Sequence, residues 1–135
     1  MLDLQMSEIL EIPSSAIKKY LSENSNAVLI DVRTKEEWDI VGMPDGDPLG
    51  LPTFFISYQI GKERVLNINF IEEFKDLDID KTKKILFICR SGARSLSTAK
   101  MINELGYETV NILGGFEGSA VINDAGWKGN GLPCK

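Results

Sequence analysis

The stretch Ile85-Leu86-Phe87-Ile88, four apolar residues in a row running directly into Cys89, constrains this chain most. A strand with one wet face alternates apolar and polar residues, whereas an unbroken run belongs to a strand covered on both faces, as in the centre of a parallel sheet. Val28-Leu29-Ile30, ending at Asp31, repeats the pattern. Around these runs the apolar spacing becomes helical. Ser14 or Ser15 is expected to cap a helix carrying Ile17, Tyr20 and Leu21. Thr34 to Glu37 reads as a capping box that starts a helix through Trp38 to about Val41. Asn69 to Leu77 aligns Phe70, Ile71 and Phe74, and Leu96, Ala99, Ile102 and Leu105 keep helical spacing until Gly106 stops it. Phe54 to Ile60 and Val110 to Leu113 read as further strands, the Gly- and Pro-rich segment 42–52 as a long loop, and Phe116 to Asp124 as a last helix. Strands alternating with helices predict an α/β fold with a mostly parallel sheet. Without repeats or a Ser/Gly linker, one domain is expected over residues 1–135.

Composition removes several kinds of chemistry. The chain has no histidine, which excludes Ser-His-Asp and Cys-His nucleophilic machinery and His-ligated zinc or iron sites; the expectation is of no cofactor and no metal. A net charge of -5 gives no broad basic face for a phosphate backbone, and nucleic acid is not expected as a partner. Residues 1–6 carry no basic start or long apolar run, and no segment reaches membrane-spanning length. The expected location is therefore cytoplasmic, with no membrane partner and with the two cysteines, Cys89 and Cys134, as reduced thiols.

Cys89 stands between a strand and a helix, where open α/β sheets bind ligands and a helix N-terminus favours anions. With Arg90 and Arg94 close in sequence, its thiol is expected to be shifted toward the nucleophilic thiolate. Gly92 lets the backbone close around whatever the sulfur carries. A lone cysteine after an apolar strand is more often a small buried hydrophobe; the polar, Arg-rich loop reverses that expectation. Two roles stay open for Arg94: contact with substrate, or a structural one, tying loop carbonyls or pairing with Glu37. Asp31, Arg33 and Glu37 read as structural support that ties one loop to another. Cys134, next to the last residue, reads as incidental.

The segment Cys89-Arg90-Ser91-Gly92-Ala93-Arg94-Ser95 resembles the active-site loop of rhodanese-type sulfurtransferases. Leu29-Ile30-Asp31-Val32-Arg33 with Glu36-Glu37-Trp38 resembles that family's first signature. Leu113-Gly114-Gly115-Phe116-Glu117-Gly118, Gly126-Trp127 and Gly131-Leu132-Pro133 resemble its C-terminal one, so the likeness covers roughly residues 28 to 133. It implies a rhodanese-like three-layer fold, a five-stranded mostly parallel sheet with helices on both faces. It also implies a ping-pong reaction in which Cys89 takes a sulfane sulfur from thiosulfate or a low-molecular-weight persulfide and passes it to a thiol, cyanide or protein acceptor. The loop residues Arg90, Ser91, Gly92, Ala93, Arg94 and Ser95 would bind the donor and the persulfide. Where many members have Gly-His-Ile-Pro-Gly-Ala, this chain reads Gly42-Met43-Pro44-Asp45-Gly46-Asp47, which leaves the choice of acceptor open.

Two other functions compete. A non-catalytic rhodanese-like binding or signalling module is one, although inactive members commonly lack the loop cysteine that is kept here. A phosphatase or arsenate reductase is the other; those loops place five residues between Cys and Arg, whereas four separate Cys89 from Arg94 and the phosphatase arginine position holds Ser95.

Overall fold

The computed structural model describes residues 9–135; the segment 1–6, read above for an export signal, lies outside them. In chain order the elements are β1 (Leu10–Pro13), α1 (Ile17–Glu23), β2 (Ala27–Asp31), α2 (Lys35–Val41), β3 (Thr53–Phe55), β4 (Gln59–Ile60), β5 (Val65–Leu66), α3 (Phe70–Asp76), β6 (Lys84–Ile88), α4 (Ala93–Asn103), β7 (Glu108–Leu113) and α5 (Gly126–Gly129). Five strands form one sheet in the order β1-β7-β6-β2-β3, and β4 with β5 makes a separate antiparallel hairpin. Every pairing in the five-stranded sheet is parallel, so it is more uniform than expected.

The apolar runs explain the layers. Successive side chains of a strand point to opposite faces, and here both are covered. Val28, Ile30, Ile85 and Phe87 pack toward Phe70 and Phe74 of α3 and Ala99 and Ile102 of α4. Leu29, Leu86, Ile88, Val110 and Ile112 pack toward Ile17 and Tyr20 of α1, Phe116, and Trp127 of α5. Parallel pairing also brings the C-terminal ends of β2 and β6 side by side, with Asp31 opposite Ile88. Cys89 follows on that edge.

Four local expectations are corrected. No side-chain cap opens α1; a 3-10 turn over Ser14–Ala16 precedes it, and the Ser14 hydroxyl instead donates to the Gly115 carbonyl at 3.2 Å. The strand read over Phe54–Ile60 stops at Phe55, because Ile56 and Tyr58 donate to the Asp31 and Val32 carbonyls as the chain leaves the sheet edge, and Gln59 and Ile60 join the hairpin. Helix α4 starts at Ala93, three residues before its apolar pattern begins. No helix spans Phe116–Asp124: Gly114, Gly115 and Gly118 adopt φ of +75°, +55° and +96°, which coil the segment into turns, and the helix comes later, at Gly126–Gly129. Among the described residues, no helix is long and apolar enough to cross a membrane.

Candidate active site

At the end of β6 the backbone leaves the sheet and turns into α4 within four residues, Cys89 to Gly92. Gly92, at φ +118°, is the N-cap of the 11-residue α4. This left-handed turn directs its N–H back onto the Cys89 sulfur, 3.1 Å away. Ser95, in the first turn of α4, places its hydroxyl 3.2 Å from the same sulfur. Cys89 is only 1% exposed, yet its sulfur faces two polar groups rather than hydrocarbon alone. A sulfur anion here would meet hydrogen-bond donors and the positive end of a helix dipole.

The turn after β7 braces the back of the loop. Phe116 N–H donates to the Cys89 carbonyl at 2.8 Å and Glu117 N–H to that of Arg90 at 3.0 Å. The approach is close enough that a Cβ at Gly115 would lie 2.3 Å from the Cys89 carbonyl oxygen, which is why glycine is needed there.

The two arginines separate in role. Arg94 donates from both terminal nitrogens to the two Glu37 oxygens, at 2.8 and 2.9 Å, a bidentate bond between α4 and α2. Burial alone would push the Glu37 carboxyl up; the Arg94 bond, the Thr34 N–H and the charges of Arg94 and Arg64 outweigh it and bring it down to about 2. Burial likewise works against the charged Arg94, and the Glu37 bond and charge, with the charges of Cys89 and Asp31, raise it. Glu37 is fixed in turn by the capping box with Thr34, as the sequence predicts. Arg90 is 63% exposed at the rim and only loosely paired with Glu117 at 3.5 Å.

Asp31 and Arg33 are fully buried at the neighbouring strand end. Arg33 grips the Asp31 carboxylate, with Nη2 to Oδ2 at 2.8 Å, donates to the Gly42 carbonyl at 2.8 Å and lies over the Phe116 ring at 4.2 Å. The pair ties β2, the 42–52 loop and the turn after β7 together. Of the loop residues expected around a donor, Gly92 and Ser95 touch the sulfur, Arg90, Ser91 and Ala93 are exposed at the rim, and Arg94 is held by Glu37.

Sequence reasoning missed Asn111. It lies fully buried in β7, beside Phe87 of β6 and Glu11 of β1, with its side chain bonded to Ser95 and to the Gly92 carbonyl. The signal was available: an amide in the middle of Val110-Asn111-Ile112 is out of place unless it is fully hydrogen-bonded.

A family model described as rhodanese-like domain matches residues 15–120, most of the chain. The chain belongs to the rhodanese-like family. The match ends before Gly126–Pro133, although that tail is integrated in the fold: Trp127 Nε1 donates to the Pro133 carbonyl at 2.7 Å. Among its relatives, the Rickettsia conorii protein RC0915, uncharacterized by name, is 43% identical over 115 residues, 84% of this chain and 86% of its own. A Bacillus subtilis protein, YtwF, named provisionally as a sulfurtransferase, is 34% identical over 108 residues, 80% of this chain and 87% of its own. The crystal structure of Rv0390 from M. tuberculosis matches with a TM-score of 0.80 at 34% identity, covering 96% of this chain and 98% of that one.

Proposed function

We propose that this rhodanese-like chain is a sulfurtransferase that carries a sulfane sulfur on Cys89. The observation that carries the reading is the sulfur's setting: at the end of a central parallel strand, with the Gly92 N–H directed at it and the Ser95 hydroxyl oxygen 3.2 Å away. In the first step the Cys89 thiolate attacks the outer sulfur of thiosulfate. A sulfur–sulfur bond forms to Cys89, the old one breaks, and sulfite leaves with the electron pair. In the second step a thiolate, cyanide or protein thiol attacks the outer persulfide sulfur and returns Cys89 as thiolate. No imidazole is required, because sulfite and the Cys89 thiolate are competent leaving groups, consistent with a chain that has no histidine. Arg90 at the rim supplies the positive charge that draws an anionic donor toward the loop.

The loop backbone between strand and helix is short, which suits a single sulfur better than a tetrahedral phosphate. One observation favours a binding module instead: the 1% exposure of Cys89, which obliges rim side chains to move before a donor reaches the sulfur. Thiocyanate formation from thiosulfate and cyanide separates the two. Parallel lines in a double-reciprocal analysis, with no turnover in Cys89→Ser, are expected of the transferase; no thiocyanate from the wild type, nor transfer to a low-molecular-weight thiol, means a binding module. Cytoplasmic placement and a protein or thiol acceptor complete the reading.

A further inference from the structure

The Ser95 hydroxyl has one proton and three acceptors around it: Asn111 Oδ1 at 2.5 Å, Cys89 Sγ at 3.2 Å and the Gly92 carbonyl at 3.3 Å. The shortest contact is to Asn111. The orientation of that amide is set by its other end, since Nδ2 donates to Glu11 Oε2 at 2.7 Å and to the Gly92 carbonyl at 3.0 Å. Both partners are acceptors only, so the nitrogen must face them and the oxygen must face Ser95. We propose that Asn111, clamped by Glu11 and Gly92, is a positioning residue that holds the Ser95 proton away from the Cys89 thiol and yields it to the thiolate.

With its O–H directed at Asn111 Oδ1, Ser95 turns a lone pair toward the sulfur and accepts from its S–H. When Cys89 ionises, the hydroxyl must rotate and give up its 2.5 Å bond in order to donate to the anion. After a sulfur is taken on, the negative charge moves to the outer atom, the inner sulfur no longer needs a donor, and the Ser95 O–H turns back to Asn111. The amide thus favours the two states in which the Cys89 sulfur carries no charge, the thiol and the loaded persulfide. The inference rests on Cys89 as the reacting thiol and on no particular donor or acceptor.

Of the charged groups around the thiol, only Glu11, on β1, takes part in this switch, as the clamp on Asn111. The others are Arg94 on α4 with Glu37 on α2, the Asp31–Arg33 pair after β2, and Arg90 with Glu117 from the turn after β7. Asn111→Leu keeps the branched shape and removes both the acceptor and the donor, and Ser95→Ala leaves Cys89 with no hydroxyl to gain.

The experiment measures the pH profile of Cys89 alkylation by iodoacetamide in the Cys134→Ser background, for Asn111→Leu, Ser95→Ala and the double variant. Asn111→Leu is expected to move the profile to lower pH by about one unit, roughly tenfold faster alkylation on its acid limb, because the freed hydroxyl now donates to the thiolate. In the Ser95→Ala background the same substitution is expected to leave the profile unmoved. An equal shift with Ser95 absent would overturn the inference, since Asn111 would then act through loop shape alone; so would no shift, or a shift to higher pH, with Ser95 present. Asn111→Val, the better strand former, makes the same test if leucine disturbs β7. Alkylation needs no sulfur donor, so a failed transfer assay leaves this result standing, and a failed cycle leaves sulfur transfer standing.

Discussion

At the scale of single residues, Glu37 joins the site to the rest of the fold. Its carboxylate caps its own helix, binds Arg94 in two places and lies 3.5 Å from Arg64 of the hairpin turn. A carboxyl whose folded value is depressed adds stability above its unfolded value and loses it as pH falls through the folded one. With Glu37 at about 2 in the fold against an ordinary 4.5, its contribution is complete at neutral pH and is lost between those two values. Glu37→Gln is therefore expected to cost about 2 kcal/mol in urea unfolding at neutral pH, and the gap to the wild type should close on acidification toward pH 2. A gap that stays constant with pH would mean that the pair is not what holds Glu37. Arg90 behaves differently because it is exposed and loosely paired. Arg90→Ala should raise KM for thiosulfate several-fold and weaken its dependence on ionic strength while sparing kcat; an unchanged KM at low salt would remove Arg90 from donor capture.

At the scale of elements, the loop owes its shape to the turn that backs it. Gly115 takes φ +55° and leaves no room for a Cβ against the Cys89 and Arg90 carbonyls, whereas Gly61 at φ +79° has nothing within 4 Å. Gly115→Ala is expected to cost more than about 2 kcal/mol and to lose sulfur transfer, and Gly61→Ala about 1 kcal/mol with transfer kept. Equal losses for the two would show that conformational strain, not the close approach, governs Gly115. The same turn shows where sequence reading stopped. Phe116 to Asp124 has apolar residues that suggest a helix, but Phe116 goes to the core and to the face of Arg33 while the neighbouring glycines reverse the chain. The start of α4 was hidden for another reason: Ala93, Arg94 and Ser95 point to the rim, Glu37 and the thiol, so the first helical turn carries no apolar stripe.

At the scale of the whole molecule, the architecture was legible because two unbroken apolar runs admit few alternatives. Ile85–Ile88 and Val28–Ile30 had to be buried on both faces, and the helical spacings between them supplied the covers. Cys89, Gly92, Asp31, Arg33 and Glu37 were likewise legible from their places at strand and helix ends. Asn111 was not, since its part depends on a cross-strand row with Glu11 and Phe87 that only the sheet register creates. Cys134 is a free thiol exposed near the C-terminus. Cys134→Ser should transfer sulfur like the wild type, and a loss of turnover in the thiocyanate assay would give that thiol a role. Sulfur transfer by this chain requires that Cys89 carry the sulfur. Intact mass of the reduced protein, before and after thiosulfate, tests it directly. A gain of one sulfur that dithiothreitol removes and that Cys89→Ser lacks is expected; no gain, or the same gain in Cys89→Ser, would mean that Cys89 is not the carrier.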